Sequence, residues 1–262
     1  MVSANPDAEP RTTSGHMTIW EHIAELRSRL IKVMIAVGLG AILGWILFPW
    51  VFDILQTPFR DLVENRGGRI VANAPLQAFS TRLKVAGYLG IVFAMPVILW
   101  QLWRFVTPGL YPHEKKYAIP FTVTSLVLFA LGASLAYYTL NPALEFLIGV
   151  GGDDIEPYYT VDSYIMLIVW MMIGFGIGFE VPVLLVALQM VGILTPRKLL
   201  SWWRIAIVLN VVAAAVITPS GDPITMMALA VPMTVLYLMS IGVGALFLRL
   251  RRRKAERAGT AA

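Results

Sequence analysis

No cysteine occurs among the 262 residues. Disulfides, thiolate nucleophiles and cysteine-ligated metals are therefore excluded. Histidine is scarce as well. His16, His22 and His113 are the three present, and without cysteines they make no convincing metal site. His113-Glu114 has no second histidine four residues on, so it is not a zinc-hydrolase helix motif. There is no serine-hydrolase elbow and no phosphate-binding Walker loop. Pro219-Ser-Gly-Asp222 lacks the first glycine of the Gly-x-Gly-Asp pattern of intramembrane aspartyl proteases, and no matching intramembrane aspartate exists. No catalytic residues, cofactor or metal are expected, and the chain does not read as an enzyme. Charge is also sparse. Only 14% of residues are charged and 58% are hydrophobic, where soluble domains run at about 25% charged and 45–50% apolar. The chain reads as an all-α integral membrane protein.

Six apolar runs are long enough to be considered as spans. They cover about residues 32–52, 76–103, 117–140, 163–191, 205–217 and 224–248. The fifth is short. At 1.5 Å per residue it reaches about 20 Å, against about 30 Å of hydrocarbon. Before the first span, Thr18-Ile-Trp-Glu21 fits a capping box. Ile19, Ile23, Leu26 and Leu30 then make an apolar stripe at helical spacing. An amphipathic interfacial helix leading into the span is expected. Glu25 and Arg29 are spaced to pair along it. Residues 53–75 read as a polar connection with Pro58, Gly67 and Gly68. Arg82 and Lys84 lie near the outer end of the second span, where long side chains snorkel. Residues 1–17 read as a disordered polar start without a cleavable signal, residues 18–248 as the membrane domain, and residues 249–262 as a basic tail.

Basic residues are unevenly shared among the connections. Sixteen of the 21 Lys and Arg fall in the two terminal regions and in the segments 104–116 and 197–204. Both termini are therefore expected in the cytoplasm, in a multi-pass protein of the plasma membrane. The bases are split into short clusters beside apolar runs, which is a topology pattern and not a nucleic-acid-binding one.

Two places stand out chemically. Gln101–Tyr117 is a polar island with Arg104, His113, Glu114, Lys115 and Lys116, broken by Pro108 and Pro112. Trp100 and Trp103 precede it, the ring type that anchors a helix at the membrane boundary. Glu180 lies in Gly174-Phe-Gly-Ile-Gly-Phe-Glu-Val-Pro182. A carboxyl group inside an apolar helix costs a few kcal/mol and needs a polar partner or a wet concavity. Gly174 and Gly178 would let another backbone approach. Between the last two spans, Thr218-Pro-Ser-Gly-Asp222 forms a turn, and Asp222 is placed to cap the next helix.

Read in order, His22–Leu30, Pro96–Phe105, Pro108–Lys116, Phe179–Pro182 and Thr218–Asp222 resemble the TatC family. TatC is the multispanning receptor of the twin-arginine protein translocase. The similarity runs from about Thr18 to Leu248. It implies a concave, glove-like bundle with short fifth and sixth spans. It implies binding of twin-arginine signal peptides of folded proteins at the cytoplasmic face, for export driven by the proton gradient. By this resemblance Glu25 and Glu114 would hold the two arginines, since a guanidinium matches a carboxylate through two parallel hydrogen bonds. Arg27, Phe105 and Tyr111 would surround them. Glu180 would face the hollow, and Thr218 and Asp222 would lie at a partner contact. Pro58, Pro96 and Pro108 would shape the connections. Single-span TatA- and TatB-type subunits, membrane lipids and further copies of the chain are the implied partners. One departure is Met226, where many relatives carry glutamine. The rival class is a proton- or ion-coupled secondary transporter using Glu180. A single deep carboxylate and the lack of a visible inverted repeat weigh against it.

Overall fold

The protein is described by a computed structural model over residues 19–63, 69–71, 73–106, 118–151, 158–218 and 221–259. Thr18, Pro108, Tyr111 and Glu114 lie outside the described residues. The elements in order are α1 (Ile19–Val63), β1 (Arg69–Val71), α2 (Gln77–Val106), α3 (Ala118–Gly151), β2 (Tyr158–Thr160), α4 (Val161–Gly178), α5 (Val181–Val191), α6 (Pro196–Ser201), α7 (Trp203–Ile217) and α8 (Pro223–Gly259). Among the described residues, five helical stretches are long and apolar enough to cross a membrane: Ile23–Pro58, Gln77–Phe105, Ala118–Val150, Val161–Val191 and Pro223–Leu250. α7 is apolar but has only 15 residues, about 22 Å of rise. The sixth apolar stretch is not short, contrary to the expectation. Pro223–Leu250 has 28 residues, and the helix continues into the basic tail as far as Gly259.

α1 also departs from expectation. The amphipathic stretch, the first span and the first part of the polar connection form one helix of 45 residues with Pro49 and Pro58 inside it. Proline lacks an N–H, so each one frees the carbonyl four residues earlier. Both freed carbonyls find donors on neighbouring helices. Arg82 Nη2 of α2 donates to Trp45 O at 3.1 Å, below Pro49. The Tyr137 hydroxyl of α3 donates to Ile54 O at 2.8 Å, below Pro58. Such replacement donors are what lets an apolar span keep proline. Pro96 likewise sits inside α2. Pro58 and Pro96 are thus helix-interior residues and not loop residues.

Arg82 and Lys84, expected to snorkel, also make contacts with neighbouring helices. The Arg82 guanidinium lies 4.4 Å from the Trp45 ring centre and 5.2 Å from that of Phe48. Lys84 Nζ pairs with Asp162 of α4 at 2.8 Å. A parallel two-strand ladder, Arg69↔Tyr158 to Val71↔Thr160, links the α1–α2 and α3–α4 connections. Three residues per strand are too few for periodicity to reveal.

The main core joins α3, α4, α7 and α8 through Leu140, Leu144, Ile168, Phe175, Ala214 and Leu229. α1 lies against α2, and Gly40 and Gly90 allow that approach. A Cβ on Gly40 would stand 2.7 Å from Gly90 O. Most apolar side chains of α1 stay exposed, Met34 and Leu39 among them at 64% each. That exposure suits a helix that faces lipid.

Candidate functional site

The first cluster sits where the start of α1 meets the end of α2. Glu25 and Arg29 are four residues apart, so both point along one side of α1. Arg29 Nε donates to Glu25 Oε1 at 3.1 Å, and Nη2 donates to the same oxygen. The guanidinium also reaches α2. Nη1 donates to Gln101 Oε1 at 3.3 Å and Nη2 to Arg104 O at 3.2 Å. Arg104 is in the last turn of α2, where carbonyls have no helical donor and the helix end is electronegative. Glu25 Oε2 is buried and has no hydrogen-bond partner among the described residues. A buried carboxylate oxygen without a donor keeps its full capacity to accept a hydrogen bond.

Arg27 is not part of that cluster. Two residues from Glu25, it projects from a different face of α1. It lines a shallow exposed hollow with Trp20, Ile23, Ser28 and Lys32. Phe105 is half-buried beside Arg104 at the end of α2.

The second cluster is deep in the bundle. Pro182 cannot donate to Gly178 O, and the chain breaks between α4 and α5 at Phe179-Glu180. Glu180 sits at that break, beside Ser125 of α3. Ser125 is fully buried and also accepts the Trp103 indole N–H of α2 at 3.0 Å. Trp103 itself is 1% exposed and stacks on Phe121 at 4.7 Å between ring centres. Trp103 is therefore a core residue and not a boundary anchor. A buried indole needs an acceptor, and Ser125 is the polar residue within reach. Sequence reading missed Ser125 because a single serine in an apolar run has no pattern. Glu180 Oε1 remains buried without a partner among the described residues. Further along, Pro182 and Val183 of α5 line an open apolar groove of about 520 Å³ together with Phe121, Val127, Met239 and Val243.

Gly174 faces the Ile217 side chain of α7, and Gly178 has Met233 of α8 as its nearest neighbour. A Cβ on Gly174 would also stand 3.6 Å from the Ile217 backbone oxygen, so that glycine does let a neighbouring backbone approach, as expected, whereas Gly178 meets side chains. A closer approach occurs at Gly132 of α3, where a Cβ would meet the Phe175 carbonyl. Thr218 and Asp222 are both buried at 2% exposure. Each spends its side chain locally. Thr218 Oγ1 donates to Ala214 O at 2.8 Å. Asp222 Oδ1 accepts the Thr225 N–H at 2.8 Å and Oδ2 accepts its hydroxyl at 2.5 Å. Gly221 has φ of 59°, so the turn before α8 uses glycine's freedom there. Among the described residues no group of three or more His, Cys, Asp or Glu could hold a metal.

The family described as "Sec-independent protein translocase protein (TatC)" matches residues 21–232. A TatC protein of Frankia casuarinae is 39% identical over 254 residues, covering 93% of this chain and 70% of the relative. That of Aquifex aeolicus is 38% identical over 239 residues, covering 90% and 98%. A chloroplast TATC protein of Arabidopsis thaliana is 38% identical over 235 residues, covering 89% and 68%. A crystal structure described as the twin arginine translocase receptor TatC superposes with a TM-score of 0.75 at 38% identity, over 86% of this chain and 99% of that one. Matches of this extent, over a helical membrane fold, settle the lineage: the chain belongs to the TatC family and is a membrane component of the twin-arginine, Sec-independent protein translocase.

Proposed function

We propose that this translocase component captures twin-arginine signal peptides of folded proteins at its cytoplasmic face. The family supplies a translocase component and is not a family of enzymes. The observation that carries the reading is Glu25, which has one buried carboxylate oxygen without a partner among the described residues beside the end of α2. The residues directly after α2 include Glu114, which supplies a second carboxylate for a second guanidinium. Two forked guanidinium–carboxylate contacts distinguish arginine from lysine. Phe105 and Tyr111 pack against the peptide, and Arg27 lies at the same membrane face.

Further parts of this reading concern topology and partners. Six crossings, with α7 as the short one, put both termini in the cytoplasm of a plasma-membrane protein. This agrees with the bias of Lys and Arg toward the terminal regions. A short span thins the bilayer around it. TatA- and TatB-type single-span subunits dock beside Glu180, along the membrane-facing groove and near the Thr218–Asp222 turn. Transport is driven by the proton gradient.

The test is binding of a labelled twin-arginine signal peptide to the full chain in nanodiscs, beside a twin-lysine version. Capture of the arginine peptide at least about tenfold more tightly is expected from the loss of forked pairing. Equal affinity for both peptides refutes the carboxylate reading.

A further inference from the structure

Signal-peptide capture leaves the basic tail without a role. Six of the last fourteen residues are Lys or Arg, from Arg249 to Arg257, and Glu256 is the one acid in that stretch. By sequence it reads as a topology signal. The structure adds that α8 runs on from its span as one helix to Gly259. The charges therefore keep fixed places relative to the span. Arg249 and Arg253 are four residues apart, on one side of α8, and both are exposed.

The open apolar groove begins at this same end of α8. Its walls are α3 from Pro120 to Leu128, α5 from Pro182 to Met190 and α8 from Leu236 to Phe247. Pro120 and Phe247 mark its outer end, since α3 starts at Ala118 and Phe247 comes two residues before Arg249. Inward from there, the groove follows about 12 Å of α3 and about 16 Å of α8 at 1.5 Å per residue. One leaflet of a bilayer holds about 15 Å of hydrocarbon. The volume of about 520 Å³ lies in the range of sites that take one small ligand. A helix is about 10 Å across, so it lies over such a groove and not in it. Ser240 at the wall donates its hydroxyl to Tyr237 O at 2.7 Å. The lining thus offers contact to hydrocarbon and little else.

We propose that the groove and the basic end of α8 form one site for an anionic phospholipid of the leaflet at that end. One acyl chain fills the groove. The phosphate lies among the bases that begin with Arg249 and Arg253. Depth and charge together select this occupant. An apolar slot one leaflet deep, ending at a cluster of bases, matches an apolar chain joined to an anionic head. A lipid without net charge leaves the bases unmatched. A single-span subunit docked along the groove covers the chain. The inference needs only that α8 crosses the membrane, and it does not depend on peptide capture.

The experiment is native mass spectrometry of the full chain from detergent micelles. It is titrated with dioleoyl phosphatidylglycerol or dioleoyl phosphatidylcholine, which have the same chains and differ in head charge. One variant combines Arg249→Gln with Arg253→Gln. Two others, Val243→Trp and Val127→Trp, put an indole into the groove from half-exposed positions on different helices. Having two guards against one that misfolds. Wild type should bind its first phosphatidylglycerol about tenfold more tightly than its first phosphatidylcholine. The arginine pair should remove most of that preference and leave phosphatidylcholine binding unchanged. Each tryptophan should weaken the first molecule of both lipids by about tenfold, with the unfolding temperature unchanged.

Equal affinity of wild type for the two lipids overturns the proposal. So does a first-lipid affinity that neither tryptophan changes, because the chain then lies elsewhere. A preference for phosphatidylglycerol that survives the arginine pair also overturns it, because the head then lies away from α8. Capture of a twin-arginine peptide by the same preparation reads the receptor function separately, so either can fail alone.

Discussion

Glu25 and Glu180 are similar in one respect and opposite in another. Each carboxyl group has one buried oxygen without a partner among the described residues. Glu25 is engaged by a guanidinium, near a helix end, with a side chain 22% exposed. Glu180 has beside it a neutral hydroxyl, Ser125, which accepts the hydrogen bond of a buried indole. The cation beside Glu25 compensates its charge and leaves an acceptor that suits another cation. The hydroxyl beside Glu180 brings no charge, so that site suits close contact within a bundle. One residue type thus serves two kinds of recognition, and the neighbours decide which.

The largest expected effect separates the two groups by function. Glu25→Gln should weaken twin-arginine peptide binding by roughly 10- to 100-fold, the range of a lost charge-assisted pair. Glu180→Gln should leave that binding within about threefold, while transport by the assembled translocase is lost. Equal loss of peptide capture in both variants, measured by fluorescence anisotropy, would erase the distinction.

The next effect is on stability. Ser125→Ala leaves the Trp103 indole without its buried acceptor. A cost of about 1–3 kcal/mol is expected from the orphaned buried donor. Glu25→Ala should cost no more than about 1 kcal/mol, because its ion pair is partly open to solvent. Denaturant titration in detergent micelles reads both. A larger penalty at Glu25 would show that its pair is structural first.

The smallest effect is that of salt. Raising ionic strength from about 0.05 M to 0.5 M shortens the Debye length several-fold. Peptide capture at Glu25 should weaken by a few-fold, and the stability penalty of Ser125→Ala should not change. Salt-insensitive capture would mean that the carboxylate is not a principal contact.

Much of the fold was legible. Long apolar runs announce helices because a lipid environment leaves the backbone no other way to satisfy itself. The apolar helices accordingly fall where the sequence placed its runs. The limits of α1 were not legible. Polar residues after Phe52 and the proline at Pro58 read as a connection, yet Tyr137 supplies the donor that keeps the Ile54 carbonyl satisfied. Trp103 was misplaced for a related reason. Its buried partner Ser125 is 22 residues away on another helix. The pairing of Glu25 with Arg29 was legible from spacing, and the reach of Arg29 to Gln101 and Arg104, over 70 residues on, was not.

By itself the sequence determined membrane character, the positions of the apolar helices, the shortness of α7 and the family. These follow from composition, run length and motifs read along one chain. Only the tertiary structure decided which side chains complete a helix that proline interrupts, which glycines bring helices together, and which oxygen of each buried glutamate stays open. Those outcomes depend on the register between helices distant in sequence. Helical periodicity tells which face a residue occupies but not which residue of another helix it meets.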